Sequence, residues 1–197
     1  MFTIAFTSRT GSSHLCRRIE TRYQVDNMGE TMNPHRLATV QKRRDLGTLA
    51  EAAEFVINRN SPAGWFAFKG GPKALVAAEK MGLMDANKEQ THFAFLQRRN
   101  ILAQALSVFK AKKSGQYHSI QEITNVVSED DYDYDGIAQH VNVVMKANKR
   151  LLSYFEASKF PHSYLEYERF EAGDWSHVET LLDNMGMPRR TDPEEAR

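Results

Sequence analysis

Cysteine is nearly absent. Cys16 is the only one in the sequence, which excludes an internal disulfide framework and fits a reducing compartment. No apolar run approaches the ~20 residues needed to cross a bilayer, and the N-terminus lacks the basic start and long apolar stretch of a secretory signal. A cytoplasmic protein with no membrane span is expected. An excess of one charge is missing too. The 26 Lys and Arg face 25 Asp and Glu, a net charge of +1, so nothing in the bulk charge points to a nucleic-acid partner. The seven histidines are scattered, with no metal-ligand spacing. There is no internal repeat and no low-complexity segment.

What is present is enough for one core. At 197 residues the chain reads as a single domain over 1–188 with a charged, loose tail over 189–197. Phe2 to Thr7 are β-branched and aromatic and suit a buried strand. Ser13 to Tyr23 can then run as a helix, placing Cys16 as a buried spectator in its first turns. Trp65–Lys69, Phe93–Leu96 and Ser163–Tyr167 read as further short strands. Apolar residues at helical spacing predict helices over 46–59, 73–81, 101–112, 136–158 and 177–185. Pro72 suits a first helical position, Asp135 is available as an N-cap, and Gly186 closes the last helix. Arg36 to Arg44 is strongly basic and fits either a helix or an exposed arm. Short strands alternating with helices point to an α/β fold, a central parallel sheet flanked by helices.

In such a sheet, ligands bind outside the carboxyl ends of the strands. Three strands end there in polar residues: Ser8 to Ser13, Lys69, and Arg98–Arg99. The first is a hydroxyl-rich turn, Thr7-Ser8-Arg9-Thr10-Gly11-Ser12-Ser13, running into a helix. The free N–H groups and dipole of a helix N-terminus favour an anion. Thr10, Ser12 and Ser13 add hydroxyl donors, Gly11 allows close backbone approach, and Arg9 adds a fixed charge. The Walker spacing and its lysine are absent. The turn therefore reads as a short phosphate loop of a different type from that of ATPases, or as a polar strand–helix turn with a capping serine. Together the three strand ends form a cationic rim suited to a ligand with more than one anionic group.

The string at 7–13, taken with Arg98-Arg99-Asn100-Ile101-Leu102-Ala103-Gln104-Ala105-Leu106-Ser107, resembles the sulfotransferases that use 3'-phosphoadenosine 5'-phosphosulfate (PAPS). The nearest likeness is to the bacterial trehalose sulfotransferase-like group. Glu166-Tyr167-Glu168 resembles the tyrosine-glutamate ending a late strand of that group, and Leu181 to Pro188 its closing helix and turn. The resemblance implies a P-loop-like three-layer α/β sandwich and in-line transfer of a sulfuryl group to a hydroxyl, leaving 3'-phosphoadenosine 5'-phosphate (PAP). It implies no metal, and a homodimer is in keeping with it.

By this resemblance Arg9, Thr10, Gly11, Ser12 and Ser13 cradle the 5'-phosphosulfate, with Arg9 neutralising charge on the leaving oxygen. Arg99 and Ser107, eight residues apart, hold the 3'-phosphate. His14 falls where relatives pack a side chain against the cofactor, with a core helix residue as the other reading. Lys69 reaches the sulfuryl oxygens or the acceptor, or is a surface charge. The chain departs from the group at the base. Gly29-Glu30-Thr31-Met32-Asn33 matches its first acid, but the second, the base, is replaced by Asn33. An amide cannot take the proton, which leaves Glu30, at a family position, and His35, with the better unperturbed pKa. The expected function is a sulfotransferase acting on a small-molecule or carbohydrate hydroxyl. The alternatives are a non-catalytic PAPS- or PAP-binding module and a nucleotide-dependent phosphotransferase.

Overall fold

The computed structural model describes residues 1–61, 63–84, 90–117 and 121–191. Within them the chain runs β1 (Phe2–Phe6), α1 (Ser12–Arg22), α2 (Pro34–Arg44), α3 (Leu49–Arg59), β2 (Ala67–Gly70), α4 (Pro72–Lys80), β3 (His92–Gln97), α5 (Ile101–Ser114), α6 (Tyr134–Ser158), β4 (His162–Glu166), α7 (Tyr167–Glu171) and α8 (Ser176–Asn184). A 3-10 turn at Glu129–Asp131 precedes α6. The sheet order is β2-β1-β3-β4 and every pair is parallel, with Phe2 level with both Ala67 and His92. A parallel sheet needs both faces covered, and the strand residues divide accordingly. Phe2, Ile4, Phe6, Ala94 and Leu96 meet Leu15 and Ile19 of α1 and Val178 and Leu182 of α8. Ala5, Phe93 and Phe95 meet the opposite layer, with Ala52 and Val56 of α3, Leu75 of α4 and Leu151 and Phe155 of α6. This is the expected α/β three-layer sandwich. Among the described residues no helix is long and apolar enough to cross a membrane.

The expected strands and helices all occur, with informative shifts. The basic 36–44 segment is a helix, not an arm. Asn33 caps it by accepting the His35 N–H at 3.0 Å, and Pro34 takes its first turn. The helix expected from 136 starts at Tyr134, and its cap is Asp133, not Asp135. Asp133 Oδ1 accepts the Gly136 N–H at 2.9 Å, which leaves Asp135 in the first turn against the positive end of the dipole. The last strand stops at Glu166, and Tyr167 opens the short α7, too brief to leave a period in the sequence.

The start of the expected loose tail is docked. Gln24 N donates to Pro188 O and Arg190 N to Arg22 O, both at 2.8 Å, around a bridge between Tyr23 and Arg189. The tail's residues 192–197 lie outside the described residues.

Candidate active site

From β1 the chain crosses to β2 on one side, while β3 lies on the other. The crevice where a parallel sheet accepts ligands opens at such a reversal, at the carboxyl ends of the strands. Here the turn after β1 and the turn after β3 face each other across it.

The first turn is held in an uncommon shape. Arg9 has φ +65° and Gly11 φ +78°, both left-handed. Thr10 is fully buried and donates to Thr7 O at 2.9 Å, closing the turn from inside. Beneath it lies Gln104 of α5, also fully buried, whose Nε2 donates to Thr7 Oγ1 at 2.9 Å and to Ser8 O at 2.7 Å. Thr7 Oγ1 in turn donates to Asn148 Oδ1 of α6 at 3.0 Å. Gly11 is the N-cap of α1 with no side-chain cap, whereas Asn33, Thr48, Asn100 and Asp133 each cap their helices. The first N–H groups of α1 are left without a side-chain acceptor. A Cβ on Gly11 would lie 2.6 Å from the Tyr167 ring, so the glycine admits that ring as well as the backbone angle.

The turn opens on a cleft of about 710 Å³ whose lining includes Arg9, Gly11, Ser12, Ser13, His14, Arg17, Lys69, Arg98, Ser107, Tyr117, Tyr167 and Glu171. Among the described residues, three arginines and a lysine thus face one carboxylate. Lys69 is only 6% exposed, donates to Ser13 Oγ at 2.6 Å and sits 5.3 Å from the Phe6 ring centroid. Among the described residues it forms no ion pair with a carboxylate. Arg9 Nε donates to Ser107 Oγ at 2.9 Å, and its Nη1 donates to the Tyr117 carbonyl. Arg98 lies 4.4 Å from the Tyr167 ring centroid and reaches Arg9 O at 3.4 Å. The Tyr167 hydroxyl donates to Glu171 at 2.7 Å. Burial and that carboxylate push its pKa up, so it stays a proton-bearing donor.

The expected site residues separate into two groups. Arg9, Gly11, Ser12, Ser13, His14, Lys69 and Ser107 are brought together on this cleft. Thr10 is turned inward. Arg99 points away, its side chain 68% exposed and 3.9 Å from Glu166; the adjacent Arg98 lines the cleft instead. Glu30 and His35 are not among the lining residues. Glu30 is half-buried on the turn before α2, and His35 is exposed on α2 itself. That turn is tied to β2 at Gly29, whose carbonyl accepts the Lys69 backbone N–H at 3.1 Å. Lys69 is not a surface charge. His14 is exposed and tilts against Trp175 at 5.4 Å, which fits a side chain on the cleft rim and not a core residue.

Cys16 is buried, and desolvation pushes its thiol up to about 12 against the pull of Lys69, so it is no nucleophile.

Sequence reasoning passed over Arg17 and Glu171, quoted Gln104 and Tyr167 only as parts of motifs, and placed Arg98 in the cationic rim without giving it a ligand contact. For Arg98 a signal existed. Ala94 and Leu96 face the α1 side of the sheet, and continuing that alternation brings 98, not 99, to the same side. Glu168 fixes the turn that carries both arginines by accepting the N–H groups of Arg99 at 3.2 Å and Asn100 at 3.1 Å. Burial raises the Glu168 pKa, but these backbone donors and Arg99 outweigh it, and the carboxyl lies below its ordinary value.

No curated protein matches the chain. A family model, the Stf0 sulphotransferase, matches residues 73–197. The match starts in α4 and takes in Arg98, Ser107, Tyr167 and Glu171, one wall of the cleft; the turn after β1 precedes it. With more than half of its length covered, the chain belongs to the Stf0 sulphotransferase family.

Proposed function

We propose that this chain transfers a sulfuryl group from PAPS to the hydroxyl of a small-molecule or carbohydrate acceptor, in the cleft between β1 and β3. The observation that carries the proposal is the buried Lys69, beside an uncapped helix N-terminus, with a hydroxyl for a partner where a cation of such burial calls for an anion. A nucleotide with anionic groups at two ends suits the spread of cations from Lys69 to Arg98. PAPS supplies the sulfuryl group and departs as PAP.

The chain's own residues do the rest. The N–H groups of α1 at Ser12 and Ser13, with Lys69, receive the 5'-end and steady charge that grows on the leaving oxygen and the equatorial oxygens. Arg9 adds a guanidinium on the same side. Ser107 and Arg98 take the 3'-phosphate. In this reading Arg98 has the role that the resemblance gives to Arg99, with Arg99 at the mouth. Thr10 and Gln104 keep the turn in shape without touching the ligand. The proton of the acceptor goes to Glu30, whose turn abuts Lys69 through Gly29. His35 is the weaker candidate because it is exposed on α2, facing solvent. Asn33, at the position of the family's acid, is engaged as the cap of α2. That engagement favours one second reading, a PAP-binding protein without turnover.

The deciding experiment is a thermal-shift series with PAP and with adenosine diphosphate. At a hundred times its dissociation constant PAP stabilises by about 2.7 kcal/mol, a shift of roughly 5–10 °C for a chain of this size. Adenosine diphosphate, lacking the 3'-phosphate, should shift much less. Equal shifts would remove Arg98 and Ser107 from the reading. PAP binding without sulfate transfer to a broad hydroxyl library would select the non-catalytic reading, and loss of turnover in Glu30→Gln with PAP binding intact would support the base.

A further inference from the structure

A second cavity, about 240 Å³, opens between α2, α3 and the turn before α2. One wall is apolar, made by Val40, Phe55 and Val56, and Arg36 and Arg59 reach in from the two helices. Among the described residues no carboxylate lines it and neither arginine forms an ion pair. Arg44 adds a third guanidinium over the Phe55 ring, 5.1 Å from its centroid. Thr31, also on the lining, has a hydroxyl shut off from solvent with no hydrogen-bond partner. A buried hydroxyl left without a partner costs about 1–3 kcal/mol, and rotation of the side chain into the cavity would let a ligand oxygen remove that penalty.

We propose that this cavity anchors the acceptor, and that the acceptor therefore carries an oxyanion, a carboxylate or phosphate, on a short apolar body. The guanidinium forks of Arg36 and Arg59 hold the oxyanion, Val40, Phe55 and Val56 cover the apolar part, and Thr31 donates to one ligand oxygen. The position suits an acceptor subsite because the turn that lines this cavity is hydrogen-bonded to the strand that carries Lys69 into the cleft. Thr31 lines the cavity, while Gly29, two residues earlier, accepts the Lys69 backbone N–H. Arg36 leans over that turn, its Nη1 3.7 Å from where a Cβ on Gly29 would stand. Glu30 stands between Gly29 and Thr31 on that turn. The assignment to an acceptor rests on the sulfotransferase reading; the anion-binding character of the cavity does not.

The test uses the full chain, calorimetry at low salt, and three probes with the same tail: octyl β-glucuronide, octyl phosphate and neutral octyl β-glucoside. Each is titrated with and without saturating PAP. At least one anionic probe should bind about tenfold or more tighter than the glucoside, as expected for bidentate charge-assisted contacts. Arg36→Gln and Arg59→Gln should each erase most of that preference and leave PAP binding and the circular dichroism spectrum unchanged. Thr31→Val should weaken the anionic probe by a smaller factor. Equal binding of all three probes, binding of none, or a preference that survives both arginine changes overturns the proposal. If PAP fails to bind while the anionic preference holds and needs both arginines, the cavity stands and the PAPS reading falls.

Discussion

Arginine is used in opposite ways at two places in this fold. In the clasp that joins the C-terminal segment to the end of α1, each guanidinium meets a carboxylate. Arg22 lies 3.1 Å from Glu179, Arg189 2.6 Å from Asp183, and Arg190 2.5 Å from Asp26. In the cleft, Arg9 is bonded to a hydroxyl and a carbonyl, Arg98 to a carbonyl and a ring, and Lys69 to a hydroxyl. The clasp is electrostatically complete and serves to hold the chain together. The cleft is incomplete without an added anion, which is the physical mark of a binding site. The contrast predicts that removing a cation from the clasp lowers stability, whereas removing one from the cleft lowers ligand binding and spares or raises stability.

The largest effect should come from Lys69→Met. Turnover should fall by about 10²- to 10³-fold, the usual loss when a group that stabilises transition-state charge is removed. The ligand-free protein should melt at the same temperature or higher, since an unpaired buried cation is replaced by an apolar chain of similar length. A drop of several degrees in melting temperature without ligand would break the contrast. Next comes the adjacent pair of arginines. Arg98→Ala should weaken PAP binding by at least about tenfold, measured by calorimetry, and Arg99→Ala by much less. The reverse ranking would restore the assignment to Arg99 that the resemblance implies.

That pair also shows where sequence reading stops. The strands, the anion turn and the helix after it are legible because each depends on a few neighbouring residues: the apolar run of Phe2 to Phe6, the glycine at 11, the hydroxyls around it. The meeting of Arg9 with Ser107 is a contact across 98 residues, and only the resemblance brought those two positions to one ligand. Which of two consecutive arginines turns inward depends on the phase of a strand, set by the core pattern of Phe93 to Leu96. The docking of Arg190 on Asp26 spans 164 residues and leaves no local trace, so that segment reads as a loose tail. Asn33 was legible as a missing base, but its use as a helix cap becomes visible only when α2 is seen to begin at Pro34.

Smaller effects come from residues that shape the cleft without lining it. Gln104→Leu removes both donors that hold the Thr7–Ser8 backbone and hydroxyl in a fully buried position. It should cost about 1–3 kcal/mol in chemical denaturation and lower PAP affinity through a loosened turn. At the clasp, Arg190→Ala removes the contacts to Asp26, Glu20 O and Val25 O from a half-exposed side chain. About 1 kcal/mol is expected there, because solvent screens the pair, with PAP affinity unchanged. Equal losses of PAP affinity in the two variants would erase the distinction.

The finest distinction is one of sign with pH. In the clasp, the Asp183 carboxyl is held below its free value of 3.8, chiefly by Arg189 and, against some burial, by the Tyr23 hydroxyl. Its contribution to stability is present above that free value and is lost as the pH falls through the lower folded one. Glu20, on α1 below the cleft, behaves oppositely. Burial raises its pKa above 4.5 despite the Met28 N–H bonded to it, with Asp26 adding to the rise. The folded chain therefore holds the proton more tightly than the unfolded one, and stability declines as the pH climbs from 4.5 through the raised value. Glu20→Gln keeps an acceptor for Met28 and removes the charge, so it should flatten that decline and leave the protein equal or slightly more stable at neutral pH. Asp183→Asn should instead reduce stability at neutral pH and have no effect well below the folded pKa of Asp183. Melting curves of the two variants between pH 2 and 8 should therefore meet wild type at the acid end and part from it in opposite directions at neutral pH, Asp183→Asn below it and Glu20→Gln level with it or above; a drop in both would show that both carboxylates serve the clasp.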